Sequence, residues 1–144
     1  EHGPSGNPQG GRSVAANCFP RDIGTWRDTS MELSDKRCVP CRGGVPVMGA
    51  DEAGRLISQI PGWTLEEETK GIRREFRFRN FSEAMRFALQ VGEIAEAEGH
   101  HPDLSVGWGY CTVRFRTHSI RGLHENDFIM AAKVNRLLQT GLPP

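Results

Sequence analysis

The chain has 144 residues, of which 18 are basic and 18 are acidic, so its formal net charge is zero. This length fits one domain with a tail, and zero net charge gives no electrostatic reason to expect direct contact with nucleic acid. No apolar run approaches the ~20 residues that are needed to cross a bilayer, so no membrane contact is expected. The sequence therefore predicts a soluble, cytoplasmic protein.

Residues 1–48 are predicted to form a flexible N-terminal extension. Residues 1–30 are rich in Gly, Pro, Ser and Asn and have no sustained hydrophobic period, which is typical of a segment without a core. Met31 is a candidate native start. Cys38 and Cys41 form a single CxxC motif, but a structural zinc site needs a second ligand pair and thioredoxin-type redox chemistry needs the motif between a strand and a helix. A zinc or redox protein is a minor alternative, which the metal content of the purified protein tests.

Residues 49–144 are predicted to form the folded domain, which begins with one helix and two strands. The apolar residues between positions 56 and 60 share one helical face, and Pro61 ends that helix. A short strand begins at Trp63, and a longer one follows Gly71. Apolar and charged residues alternate along the longer strand, as they do in a strand with one buried face.

A long helix follows. Asn80 and Glu83 have the spacing of a capping box at its beginning, and Gly99 is a natural residue for its end. The apolar positions of this helix are predicted to form one buried stripe. The stripe consists of Phe81, Ala84, Met85, Ala88, Leu89, Gly92 and Ala95.

Two more strands and a helix complete the domain. A hairpin is predicted between Leu104 and Thr117, with its turn at Gly109, and the last helix begins near Glu125. The order is α-β-β-α-β-β-α. It predicts an α+β fold, in which three helices pack on one face of a four-stranded antiparallel sheet.

Three histidines and two carboxylates form the candidate site. His100 and His101 follow the end of the long helix, and His118 follows the last strand. Because histidine exchanges protons near neutral pH, this group predicts an acid/base pocket. Either Asp127, in the first turn of the last helix, or Glu96, one helical turn before His100, can orient a histidine through a hydrogen bond.

This spacing resembles the pterin-4a-carbinolamine dehydratase family. The resemblance covers residues 50–140 and rests on several motifs, which are Gly62-Trp63, Phe76-x-Phe78-x-x-Phe81-x-x-Ala84, Glu96 through Pro102, Trp108, Thr117-His118 and Leu123 through Asp127. It implies an α+β protein that forms homodimers or tetramers built from dimers. It also implies a pterin substrate, with no metal and no bound cofactor. The implied reaction is dehydration of 4a-hydroxytetrahydropterin to quinonoid dihydropterin, in recycling of tetrahydrobiopterin.

The resemblance also implies roles for the site residues. The C4a hydroxyl must be protonated to leave and N5 must lose a proton, and side chains that titrate near the working pH serve both transfers best. The expected proton-transfer residues are His100 and His118. The expected substrate-binding residues are His101, Pro102 and Trp63, the last as an aromatic wall. The expected supporting carboxylates are Glu96 and Asp127.

One departure and one alternative accompany this interpretation. His124 stands where the family usually has Ser or Thr before the last helix, which weakens the helix cap by ~1 kcal/mol if nothing replaces the hydroxyl. Members of the family also act as dimerisation partners of a homeodomain transcription factor, through helix surfaces. A dimerisation and transcription-coactivator binding module of the same fold is thus the alternative function. The sequence pattern indicates no exposed apolar helix stripe that would favour it.

Overall fold

The computed structural model describes residues 32–40 and 45–139. Three α-helices and a four-stranded antiparallel sheet make up this part of the chain, which confirms the predicted α+β fold and its order. The elements are α1 (Ala50–Ile57), β1 (Thr64–Leu65), β2 (Ile72–Arg77), α2 (Phe81–Glu98), β3 (Asp103–Gly107), β4 (Tyr110–Phe115) and α3 (Glu125–Gln139). None of the helices in the described residues is long and apolar enough to span a membrane.

The sheet has the strand order β1-β2-β4-β3, so the two longest strands are paired in its middle. Residues of β4 alternate between buried and half-buried positions, and Cys111, Val113 and Phe115 are buried. Burial raises the pKa of the Cys111 thiol to about 11, as expected for a cysteine of the core. Phe76 lies opposite Cys111 and Ile72 opposite Phe115, so the buried faces of β2 and β4 meet in register.

Helix α2 buries a different face from the one predicted. Phe87 is fully buried and its ring lies 4.6 Å from that of Phe76, so this aromatic residue determines which face meets the sheet. The three alanines of the predicted stripe are buried, but Phe81, Met85 and Leu89 are 47%, 39% and 65% exposed. Because α2 has apolar residues on two faces, their period alone could not identify the buried one. The exposed residues lie four positions apart and form an apolar stripe on the surface, which was not expected from the sequence pattern.

The ends of α2 follow the prediction. The Asn80 side chain accepts a hydrogen bond from the Glu83 backbone N–H at 2.9 Å, and Gly99 adopts a left-handed conformation, with φ of 67°, after the last turn. The Glu83 carboxylate accepts the backbone N–H of Arg79 at 3.0 Å. In a standard capping box it would accept the N–H of the capping residue itself. The Gly99 turn matters for the site, because it directs the chain from the helix into the paired histidines.

Residues 32–40, which fall in the expected N-terminal extension, pack against α2 and α3. We call this segment the strap. Leu33 is buried in the core, Lys36 forms an ion pair with Glu125 at 2.5 Å, and the backbone N–H of Cys38 donates to Glu98 at 2.9 Å. Residues 1–31 and 41–44 lie outside the described part of the chain, and Cys41 is among them.

We expect Glu98→Gln to lower the free energy of unfolding near neutral pH but not in acid. Donation from the Cys38 backbone N–H and then from Lys133 holds the pKa of the Glu98 carboxyl below its ordinary value of 4.5. A carboxyl with a depressed folded-state pKa stabilises the protein fully above its unfolded pKa and loses this effect as the pH falls through the folded value. The difference from wild type should therefore shrink below pH 4.5.

Urea unfolding at several values from about pH 3 to about pH 7 checks this expectation. Glu93→Gln is the matched control, because Glu93 is an exposed carboxyl on the same helix. A Glu98→Gln deficit that is equally large at both ends of the range would contradict the explanation.

Candidate active site

The predicted histidines line one cavity of about 300 Å³ at the end of the sheet. His100, His101 and His118 all form part of its wall, together with Pro102. The structure therefore brings together four of the predicted site residues from two separate stretches of chain.

Strand pairing explains this convergence. β3 and β4 run antiparallel with Asp103 opposite Arg114, so the residues before β3 lie beside those after β4. The chain after β4 is held by an isolated bridge between Thr117 and Gly122. His118 begins the short 3₁₀ turn inside that loop.

His100 is hydrogen-bonded to a buried carboxylate. Its Nε2 lies 2.6 Å from Oδ1 of Asp127, and the His100 and Asp127 side chains are 11% and 0% exposed. The other oxygen of Asp127 accepts the Thr117 hydroxyl at 2.8 Å and the His124 backbone N–H at 2.9 Å. An ionised carboxylate can only accept hydrogen bonds, so His100 must carry its proton on Nε2. In the neutral ring, the lone pair is then on Nδ1.

His124 replaces the hydroxyl that is expected before α3. Its Nδ1 accepts the backbone N–H of Asn126 at 3.0 Å, and Asp127 in turn accepts the backbone N–H of His124. These two bonds form a reciprocal cap, in which the imidazole accepts the hydrogen bond that a Ser or Thr hydroxyl would accept. The cap also holds the carboxylate that orients His100.

We expect His124→Ala to lower the free energy of unfolding by about 1 kcal/mol, because the Asn126 N–H loses its acceptor. His124→Ser should recover most of this loss, since the hydroxyl can accept a hydrogen bond from the first turn of the helix. Urea denaturation of the three proteins near neutral pH is the measurement. Equal losses for the alanine and serine variants would show that the imidazole does not act as a cap.

The other two histidines have different surroundings. His101 is 59% exposed, and its Nε2 lies 2.8 Å from the exposed Glu96 carboxylate. Glu96 therefore contacts His101, although its position in the sequence also suggested His100. His118 is exposed, and its side chain makes no hydrogen bond or ion pair to the described residues. One histidine is thus fixed by a buried carboxylate, while another is available at the cavity.

Trp63 does not line this cavity, contrary to the expectation of an aromatic wall. It is 6% exposed and packs against Phe76 and Phe115 in the core. Its indole N–H donates to Asn135 at 2.8 Å. A tryptophan that begins a short strand can face either the core or a pocket, and in this domain the aromatic cluster over the sheet buries it.

Several residues of the cavity were not predicted. Val39, Asn126 and Arg116 all line it. Arg116 Nε is shielded from solvent and makes no hydrogen bond in the described residues, and it lies 3.6 Å from an oxygen of Asp103. In the sequence, only the alternation of apolar and polar residues that continues past β4 indicated which way Arg116 would face. The contribution of Val39 had no local signal, because it depends on how the strap folds back.

A match to a known protein family identifies the family of this chain. Residues 46–137 match the family model described as "Pterin 4 alpha carbinolamine dehydratase". The chain belongs to this family. The matched residues include the four strands, α2 and every described residue of the cavity wall except Val39.

Similar proteins agree with this membership. A protein of Methylococcus capsulatus with the provisional name pterin-4-alpha-carbinolamine dehydratase is 57% identical over 105 residues, which are 73% of this chain and 92% of the relative. A Halorhodospira halophila protein with the same provisional name is 53% identical over 74% of this chain and 98% of the relative. A crystal structure of a transcriptional coactivator/pterin dehydratase from Brucella melitensis has a TM-score of 0.61 and 30% identity, and the match covers 64% of this chain and 98% of that one.

Metal chemistry has no evident centre in the described residues. No group of three or more His, Cys, Asp or Glu side chains is arranged there to hold a metal ion. Cys38 lies on the strap and Cys41 lies outside the described part of the chain, so the CxxC motif is only half described.

Proposed function

We propose that the protein dehydrates 4a-hydroxytetrahydropterin to quinonoid dihydropterin by histidine acid/base catalysis. Membership of the family supports a pterin substrate. The observation that carries the proposal is the pairing of His100 with the buried Asp127, on the same cavity as His118, whose side chain makes no hydrogen bond to the described residues. Dehydration needs one group to remove a proton and another to supply one.

In the proposed mechanism, His100 is the base. Its Nε2–H donates to Asp127, so Nδ1 can accept the proton that leaves N5 of the pterin, and the carboxylate stabilises the resulting imidazolium. His118 is the acid that protonates the C4a hydroxyl. The C–O bond then breaks, water departs, and the electron pair from N5 forms the C4a–N5 double bond. His101 and Pro102 bind the substrate, and Glu96 orients His101.

The physiological part of the proposal is recycling of tetrahydrobiopterin in the cytoplasm. Quinonoid dihydropterin is the form that a reductase can return to the tetrahydro level, so a dehydratase connects pterin oxidation to that reduction. The enzyme itself performs no electron transfer and requires no bound cofactor in this scheme.

The test follows the absorbance change as enzymatically generated 4a-hydroxytetrahydropterin dehydrates, with and without the wild-type protein. We expect acceleration over the spontaneous rate, and a decrease on the order of 10²-fold or more in His118→Ala, because general acid catalysis typically contributes 10²–10⁴-fold. Acceleration that survives in His118→Ala would remove that residue from the mechanism. No acceleration by the folded wild-type protein would reject the enzyme proposal.

We also propose that the protein assembles as a homodimer or homotetramer. The exposed stripe of Phe81, Met85 and Leu89 on α2 supports this, because contiguous exposed apolar surface marks association sites. Light scattering should give a multiple of the 16.0 kDa chain mass, and Leu89→Glu should lower it. Leu138→Glu, at an exposed apolar position on α3, is the control. A wild-type monomer, or an unchanged mass in Leu89→Glu, would contradict the proposal.

The same stripe is the observation that favours the alternative function, a dimerisation and transcription-coactivator binding module. The Brucella protein is described as both a transcriptional coactivator and a pterin dehydratase. The two functions make different predictions for the cavity. If the protein were only a binding module, a folded multimer would fail to accelerate pterin dehydration.

A further inference from the structure

The strap supplies one part of the cavity wall. Val39 lines the cavity together with His100, His101 and His118. It is 55% exposed, so its side chain is not packed in the core. Since the family match begins at residue 46, this wall comes from chain that precedes the matched region.

A pair of hydrogen bonds holds Val39 at that position. The side-chain oxygen of Asn126 accepts the Val39 backbone N–H at 3.1 Å, and the side-chain nitrogen of Asn126 donates to the Val39 carbonyl at 2.6 Å. Asn126 is itself 2% exposed. A buried amide that uses both of its polar atoms on one residue fixes the position of that backbone closely.

Adjacent residues of α3 position His100 and the strap. Asn126 directly precedes Asp127, the carboxylate that hydrogen-bonds His100. Further contacts hold the rest of the strap, namely buried Leu33, the ion pair of Lys36 with Glu125, and the bond from the Cys38 N–H to Glu98. The strap is therefore anchored at several points along its length, and Val39, near its end, lies on the same cavity as His100.

We propose that Val39 is a substrate-positioning residue and that the strap forms the apolar side of the pterin site. The inference rests on the proposed dehydratase function. The histidines present polar edges to the substrate, whereas Val39 presents an isopropyl group to the flat bicycle or to the substituent on its C6. Apolar contact of this kind contributes in proportion to the area that is removed from water. It acts on binding, so it should affect KM more than kcat.

The first test compares Val39→Trp and Val39→Ala with wild type in the dehydration assay. The indole should occupy the cavity and raise KM at least tenfold, whereas the methyl group should raise it only a few-fold. Val47→Ala is the matched control, because Val47 is 49% exposed and does not line the cavity. The pH profile of kcat should stay unchanged in all three variants. A KM within twofold of wild type for Val39→Trp would overturn the proposal.

The second test releases the strap without altering the cavity wall. Glu98 accepts the Cys38 N–H but does not line the cavity, so Glu98→Ala should raise KM severalfold through the displacement of Val39. Glu93→Ala, at an exposed position of the same helix, is the control. Unchanged KM in Glu98→Ala, together with unchanged KM in Val39→Trp, would show that the strap has only a structural role.

Binding of 7,8-dihydrobiopterin, measured by fluorescence quenching, separates this inference from the dehydratase proposal. Weaker binding by Val39→Trp than by wild type supports the proposed role of Val39 in pterin binding, even if the wild-type protein shows no turnover. Equal binding by both proteins, with or without turnover, rejects it. Absence of binding by wild type as well as absence of turnover rejects both proposals.

Discussion

Replacing Asp127 by asparagine is expected to lower kcat by two to four orders of magnitude while the domain stays folded. Asp127 accepts hydrogen bonds from His100, Thr117 and the His124 backbone. An asparagine side chain can still accept from the last two through its oxygen. Its NH₂ group then faces His100 and donates, which forces Nε2 of His100 to accept and moves the ring proton to Nδ1. His100, the proposed base, is left in the wrong tautomer, a defect that costs on the order of 10²–10⁴ in rate where it has been analysed in other enzymes.

The pH profile distinguishes this effect from simple damage to the fold. A general base acts in its neutral form and governs the acidic limb of the kcat profile, so that limb should change along with the fall in rate when the partner of His100 is replaced. Thr117→Val is the matched control, because it removes one donor to Asp127 and preserves the carboxylate. If Asp127→Asn retained kcat within tenfold of wild type with an unchanged profile, Asp127 would not orient the base.

Asp127→Ala is a different experiment, and its main effect should be on stability. The side chain is 0% exposed, and its removal leaves buried donors without an acceptor. Each such donor costs about 1–3 kcal/mol. Asparagine is therefore the informative substitution for catalysis.

Local sequence patterns predicted the elements of the fold and singled out the three histidines that line the cavity. Asn80 and Gly99 mark the ends of α2 by their own backbone chemistry, and the structure places helix boundaries at both. The motifs at His100 and His118 lie on turns whose position depends on strand pairing, which the alternating residues already indicated. Features that depend on residues close together in the chain could therefore be predicted from the sequence alone.

The errors all concern choices made by tertiary packing. Phe81 and Phe87 are both apolar residues of α2, and contact with Phe76 of β2 selects Phe87 for the core. Trp63 could face a pocket or the core. In the core, its indole N–H still has a hydrogen-bond acceptor, the side-chain oxygen of Asn135. Val39 reaches the cavity because Asn126 binds its backbone from 87 positions further along the chain. Such long-range contacts leave no periodic trace in the sequence.

Replacing His100 by glutamine is expected to lower kcat on the order of 10²–10⁴-fold, because glutamine cannot take up a proton near neutral pH. Its amide can still donate to Asp127, so the buried carboxylate keeps a partner and the fold is preserved. His101→Gln is the matched comparison, since His101 is the adjacent residue and is 59% exposed, with only Glu96 as its described partner. It should raise KM severalfold and leave kcat within about tenfold of wild type, as expected for a residue that binds substrate.

The contrast between the two adjacent histidines is the decisive measurement for the site. Both have the same chemistry, and both line the cavity. They differ in the carboxylate that each one meets, which is buried for His100 and exposed for His101. If burial of the partner determines which imidazole transfers the proton, steady-state kinetics will assign the loss in kcat to His100 and the rise in KM to His101. Equal effects of the two substitutions on kcat would mean that the His100–Asp127 pair maintains structure, and that the base must be sought at His101 or His118.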